Sequence, residues 1–188
     1  YPVEAAEIST KARRSLGVGF IGLAHYLAKL GFKYESQEAW DAVHGLSESF
    51  QYFLLKSSNQ IAKEKGACKY FNRTKYSQGI LPVDTYKKDV DEITSVSYQH
   101  DWESLRASIL EHGLRHSTLS AQMPSESSSV VSNATNGIEP PRGYLSVKKS
   151  KKGPLKQIVP QYQTLKNNYT LLWDMPSNRG YIHIVAVM

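Results

Sequence analysis

Apolar residues return at a helical period over several stretches of the chain. In LGVGFIGLAHYLAKLG, residues 16–31, Leu16, Phe20, Leu23, Leu27 and Leu30 recur every three or four positions up to Gly31. That spacing predicts a helix with one buried face, stopped by a glycine. From Ser36 to Gly66 the same period runs through Trp40, Val43, Leu46, Phe50, Phe53, Leu54 and Ile61, predicting a second and longer helix. HDWESLRASILEHG adds a third, with Asp101 as N-cap and Gly113 as its stop. LRHSTLSAQ reads as a strand, and PQYQTLKNNYTLLWDMP as a helix with Pro160 near its start and Pro176 just past its end. GYLSV and LKQIV are short β-prone runs around KKSKKGP, a β-hairpin near 143–160 with a solvated lysine tip. No internal repeat and no domain linker interrupts this order.

The 188 residues, 40% hydrophobic and 21% charged, suffice for one ordinary domain. The chain opens at YPVEAAEIST without a methionine and stops inside the apolar run GYIHIVAVM, so it is expected to be an internal piece of a longer protein. A single cysteine, Cys68, excludes an intrachain disulfide and a Cys-rich zinc site. No apolar stretch approaches the roughly 18 residues of a membrane span, and no secretory signal is visible.

The net charge of +6 is local. Residues 142–156 hold Arg142, Lys148, Lys149, Lys151, Lys152 and Lys156 with no acid, which leaves the rest of the chain neutral. A charge run of this kind reads first as a solvated face; nucleic-acid binding would call for aromatic or groove-reading company. The six histidines lack the spacing and neighbouring carboxylates of a metal site, so no metal ligand is assigned.

Gly17, Gly19 and Gly22 spell G-x-G-x-x-G, which marks a dinucleotide site only where a buried strand leads into the turn. The preceding STKARRS is charged, and Glu38 and Asp41 fall at a helix start. The expectation is therefore close helix packing, not a nucleotide fold.

AQMPSESSSVVSNATNGIEPPRG, residues 121–143, is the other unusual stretch. Ser-rich tracts are commonly flexible linkers. Here, however, the serines follow an expected strand, and SSVVSNATN can open a short helix with Ser125 to Ser128 in its first turn. Free backbone N–H groups, the positive dipole end and short hydroxyls then point one way, which suits an anion. Asn136-Gly137 supplies a turn and Pro140-Pro141 a stiff exit.

TLSAQMPSESSSVVSNATNGIEPPRGYLS strongly resembles the catalytic large (alpha) subunit of class I ribonucleoside-diphosphate reductase of the aerobic bacterial and phage type. RRSLGVGFIGLAHYLAKLG, YFLLKSSNQIAKEKGAC, GILPVDTYKKDVDEI and LLWDMPSNRGY match in the same order. The resemblance spans essentially the whole chain and about a quarter of such a subunit. It implies an α/β fold: residues 1–188 as a helix-rich fragment of the catalytic ten-stranded α/β barrel, with the effector-binding N-terminal region and the radical-relay C-terminus absent.

The resemblance further implies that Pro124, Ser125, Glu126, Ser127 and Ser128 hold the diphosphate of a ribonucleoside diphosphate substrate, with Arg142 a further candidate contact; the family often has threonine where Ser127 stands. Family chemistry runs on a thiyl radical, a glutamate and a reducing cysteine pair, none of whose motifs is present, so no catalytic residue is assigned and Cys68 is read as a buried, idle thiol. The whole enzyme would take its radical from a metal-containing small (beta) subunit, its electrons from thioredoxin or glutaredoxin, and its regulation from ATP and deoxynucleotides. An alpha homodimer in the cytoplasm follows, with no membrane and no nucleic acid. The runner-up is a cobalamin-dependent reductase, which shares the barrel; the alternative class is a non-enzymatic basic binding module acting through residues 142–156.

Overall fold

The computed structural model describes residues 1–151 and 153–188; Lys152 of the basic run lies outside the described residues. Eight α-helices are present among them: α1 (Glu4–Arg13), α2 (Leu23–Leu30), α3 (Gln37–Lys65), α4 (Pro82–Thr85), α5 (Trp102–His112), α6 (Glu126–Ser132), α7 (Tyr162–Leu165) and α8 (Arg179–Val187). Strands β1 (Leu145–Ser150) and β2 (Gly153–Ile158) pair antiparallel, with Leu145 opposite Ile158 and Ser150 opposite Gly153. The chain forms two compact units: residues 1–18, 45–92 and 96–121, and residues 19–44, 93–95 and 122–188.

Where the signals are local, the elements follow the sequence. Ser36 receives the amide of Ala39 at the start of α3, and Gly66, at φ +81°, donates back to Ala62 at its end. Asp101 caps α5 by accepting from the amide of Ser104 at 2.9 Å, and Gly113 ends it.

The predicted helix over 16–31 is corrected. Only Leu23–Leu30 is helical, because Gly22 sits in the left-handed region at φ +81° as the N-cap. Upstream, the chain is extended: Leu16 and Val18 donate to Thr118 and Leu119, Ala121 donates to Val18, and Val18 and Ser120 form a parallel bridge. The strand expected in LRHSTLSAQ is thus an extended segment with one parallel bridge, and its partner is the glycine-rich stretch. The helix-packing explanation of Gly17 and Gly19 falls with this; Gly17 faces Ala121 across the two extended segments, where a Cβ would stand 3.4 Å from that of Ala121.

The helix predicted over 160–176 is also corrected. It shrinks to the single turn α7 and a 3-10 turn at Leu172–Asp174. Between them, the Asn168 side chain donates to the Ala28 carbonyl at 3.0 Å, and the carbonyls of Asn167 and Tyr169 accept from the ammonium of Lys33. The two Lys33 hydrogen bonds take up carbonyls that a continuous helix would have used.

In the first unit, Tyr52, Leu55, Leu81, Trp102, Leu105, Ile109, Leu114 and Leu119 make the core. Glu48, 6% exposed, lies among them and accepts from the amides of Gln99 and His100 and from the indole of Trp102 at 2.9–3.1 Å. The second unit buries Leu23, Leu27, Tyr34, Val43, Tyr169 and Ile184. There Gly180 of α8 runs against residues 34–35, where a Cβ would meet the carbonyl oxygen of Tyr34 at 2.7 Å.

Candidate functional site: the serine loop at α6

The serine tract is built into the second unit. After Pro124, which is exposed, Ser125 stands at the N-cap of α6 with φ −128° and ψ 33°. Its hydroxyl does not cap the helix: it accepts the amide of Gly137 at 3.0 Å and donates to the Asn136 side chain at 3.3 Å. Ser125 is accordingly buried and closes residues 125–137 into a loop, while its hydroxyl is not offered outward. Downstream, Thr135 and Gly137 receive the amides of Gly22 and Leu23 at the start of α2, and the Tyr34 hydroxyl donates to Ile138 at 2.8 Å. With both ends tied in this way, the tract is no linker.

The first helical bond of α6 runs from the amide of Ser129 to the carbonyl of Ser125 at 2.8 Å. The amides of Glu126, Ser127 and Ser128 precede it and have no intrahelical acceptor, nor a hydrogen bond to any described residue. Ser127 and Ser128 are exposed. Ser129 is buried, with its hydroxyl donating to Glu126 at 3.0 Å, and Ser132 turns back on Ser128 at 2.8 Å. The outward donors are therefore three amides and the hydroxyls of residues 127 and 128.

A cation completes the arrangement from the hairpin. Lys148 donates to the Ser127 hydroxyl at 2.9 Å and stands 3.9 Å from the Glu126 carboxylate. Gln157, on the same face of the hairpin, donates to the carbonyls of Ser129 and Ala134 at 3.2 Å each. The lysine run is thus not uniformly solvated: Lys149 and Lys151 are exposed, but Lys148 is drawn onto α6. Sequence reading missed Lys148; the parity of β1, once the hairpin is assumed, was the available signal. Arg142 is exposed and forms no ion pair or hydrogen bond with a described residue.

Chemically, three free amides, two hydroxyls and one ammonium at a helix start accept negative charge. Cys68 is elsewhere, in the first unit, 4% exposed, and burial pushes its thiol pKa up against the opposing pull of Arg115 and Arg13. No helix among the described residues is long and apolar enough to cross a membrane.

Comparison with known proteins gives a consistent picture. A family model described as ribonucleotide reductase, barrel domain, matches residues 1–179. The chain is 60% identical to the ribonucleoside-diphosphate reductase subunit alpha of Haemophilus influenzae and 56% identical to subunit alpha of reductase 1 of Escherichia coli. It is 46% identical to the corresponding subunit of Enterobacteria phage T4. In each comparison the whole chain is covered, and it spans 25% of the relative's length.

Proposed function

Because the chain belongs to the ribonucleotide reductase barrel family, we propose that it is the portion of a catalytic alpha subunit that holds the substrate's diphosphate, with Pro124, Ser125, Glu126, Ser127 and Ser128 as the holding loop. The observation that carries this reading is the trio of unpartnered amides at residues 126–128 beside the exposed hydroxyls of Ser127 and Ser128. In the holding step, phosphate oxygens accept from these amides and hydroxyls. The Glu126 carboxylate repels the same charge, and Lys148, within 3.9 Å of it, offsets that repulsion. Ser125 shapes the loop by accepting the Gly137 amide on its hydroxyl, so its part in holding the diphosphate falls to its backbone amide; Arg142 reaches the substrate from the end of the Pro140-Pro141 exit.

The parallel segments at 16–18 and 118–121 are two strands of the family's ten-stranded α/β barrel, and the loop leaves the end of the second. The whole protein reduces ribonucleoside diphosphates to deoxyribonucleoside diphosphates by radical chemistry on groups outside this chain. It works as an alpha homodimer in the cytoplasm with a metal-containing beta subunit, a dithiol reductant, and ATP and deoxynucleotide effectors.

Phosphate carries no base identity, so the test is base-blind weakening. In the whole alpha subunit, replacing Ser127 and Ser128 together by alanine removes two charge-assisted hydrogen bonds of about 1.5–3 kcal/mol each, softened by the remaining amides. KM for CDP, UDP, ADP and GDP should rise at least about tenfold alike, with kcat less affected. Unchanged KM values, or loss for a single base, would return the loop to a structural role.

A further inference from the structure

In the first unit Arg14 and Arg115 make no ion pair among the described residues. Ser117 donates its amide to the carbonyl of Arg13 at 2.9 Å, and the hydroxyls of Ser15 and Ser117 meet at 3.2 Å, so residues 13–15 lie beside residues 115–117. Arg115 gives one guanidinium nitrogen to the carbonyls of Lys65 and Gly66 at the end of α3, leaving its other donors uncommitted. The Arg14 side chain commits none: it has no hydrogen bond or ion pair with a described residue, and its Nε is wholly buried without a partner. The ion pairs of the first unit are all made elsewhere, by Lys11, Lys87, Arg106 and His112. A guanidinium N–H buried with no acceptor is costly, although the rest of the Arg14 side chain is half-exposed.

His116 adds a directed donor. The Ser58 hydroxyl, 1% exposed, accepts the His116 amide at 3.2 Å and stands 2.9 Å from the ring's Nδ1. Nδ1 is the only acceptor this buried hydroxyl has among the described residues, so the hydroxyl donates to it and the neutral ring carries its proton on Nε2. That Nε2–H has no hydrogen-bonded partner among the described residues.

We propose that Arg14, Arg115 and His116, with the hydroxyls of Ser15 and Ser117, form an oxyanion site for a phosphate group. It shares no residue with the loop at α6 and does not depend on the function proposed for it. Two guanidinium charges without an ion pair, both close enough to act on His116, match a dianion, and the Arg14 fork, the free Arg115 donors, Nε2–H and a serine hydroxyl are the donors it would accept from. One carboxylate would leave a charge and most donors unmatched.

The test is an NMR titration of the 188-residue chain with inorganic phosphate at constant ionic strength, following the His116 ring. In the free chain His116 titrates below the ordinary histidine range, through burial and through the charges of Arg115 and Arg14. Bound phosphate cancels the second cause, so saturable binding should come with an upward shift of the His116 pKa. Arg14→Gln and Arg115→Gln should each weaken binding at least about tenfold, since each removes hydrogen bonds to a charged group. Arg14→Lys, which keeps the charge and loses the fork, should lie between. It also tests the idea if the glutamine variants fail to fold, as judged by amide dispersion. Binding that is non-saturable, that leaves His116 unmoved, or that survives these substitutions overturns the proposal. So does succinate binding as tightly as phosphate, because the site would then be one for carboxylates.

Discussion

A buried thiol with a raised pKa is a poor nucleophile, and Cys68 has both properties. Alkylation of the native chain by iodoacetamide should be slow and should accelerate only as urea unfolds it. In the whole subunit, Cys68→Ala should keep kcat within a few fold, with a stability loss of about 1–3 kcal/mol measured by urea denaturation. Glu48 has the opposite sensitivity. Its carboxylate satisfies three buried donors, and Glu48→Ala strands the two amides and the Trp102 indole. At roughly 1–3 kcal/mol for each donor left unpaired, the loss should exceed that of Cys68→Ala in the same measurement. Single residues were legible where partners are near in sequence: Ser36 with Ala39, Asp101 with Ser104. Ser125 was not, because its partners at 136 and 137 become neighbours only after the loop closes. For Glu48 the distance is about fifty residues, and composition carries no trace of it.

At the scale of elements, Arg106 joins α5 to α4. It grips Asp84 through both oxygens at 2.6 and 2.9 Å, reaches the Gly79 carbonyl, and also holds Glu103. The Arg106 hydrogen bonds hold the Asp84 carboxyl below the usual aspartate range, outweighing its partial burial. A depressed carboxyl stabilises the fold fully above its unfolded pKa of about 3.9, and that contribution fades as pH falls through the lower folded value. Acid denaturation of Asp84→Asn should therefore depend less steeply on pH below about 4 than that of the parent, while at neutral pH the variant is the less stable. Gly180→Ala should destabilise α8 by about 1–3 kcal/mol, since its Cβ meets backbone of residues 34–35 that cannot swing aside; thermal melts would read it. Helix period predicted α3 and α5 well because their caps agree with it. It failed over 16–22, where glycines alternating with apolar residues in an extended segment mimic a helical period, and over 166–171, where the Lys33 ammonium claims two carbonyls.

At the scale of the molecule, a chain that spans a quarter of its relatives' length leaves large apolar side chains in water. Leu110 and Phe53 are half exposed in the first unit; Val131, Trp173 and Ile182 are 89%, 74% and 60% exposed in the second. Concentration-dependent association by sedimentation velocity is expected, and replacing Trp173 and Ile182 by polar residues should reduce it. Membership of the reductase family was readable from contiguous motifs, which need no folded neighbours. The placement of Lys148 over Ser127 needed the hairpin register.

That register makes the hairpin a parity code. Lys148 and Gln157 reach α6 because both stand on one side of a two-residue pleat, with Lys149 and Lys156 on the other. Inserting or deleting one residue between Tyr144 and Lys148 would exchange the two sides, presenting Val147 or Lys149 to the serine loop, whereas a change of two residues would restore the alternation. Length variation in this strand is thus tolerated by even steps and punished by odd ones, even where every substituted residue is itself acceptable.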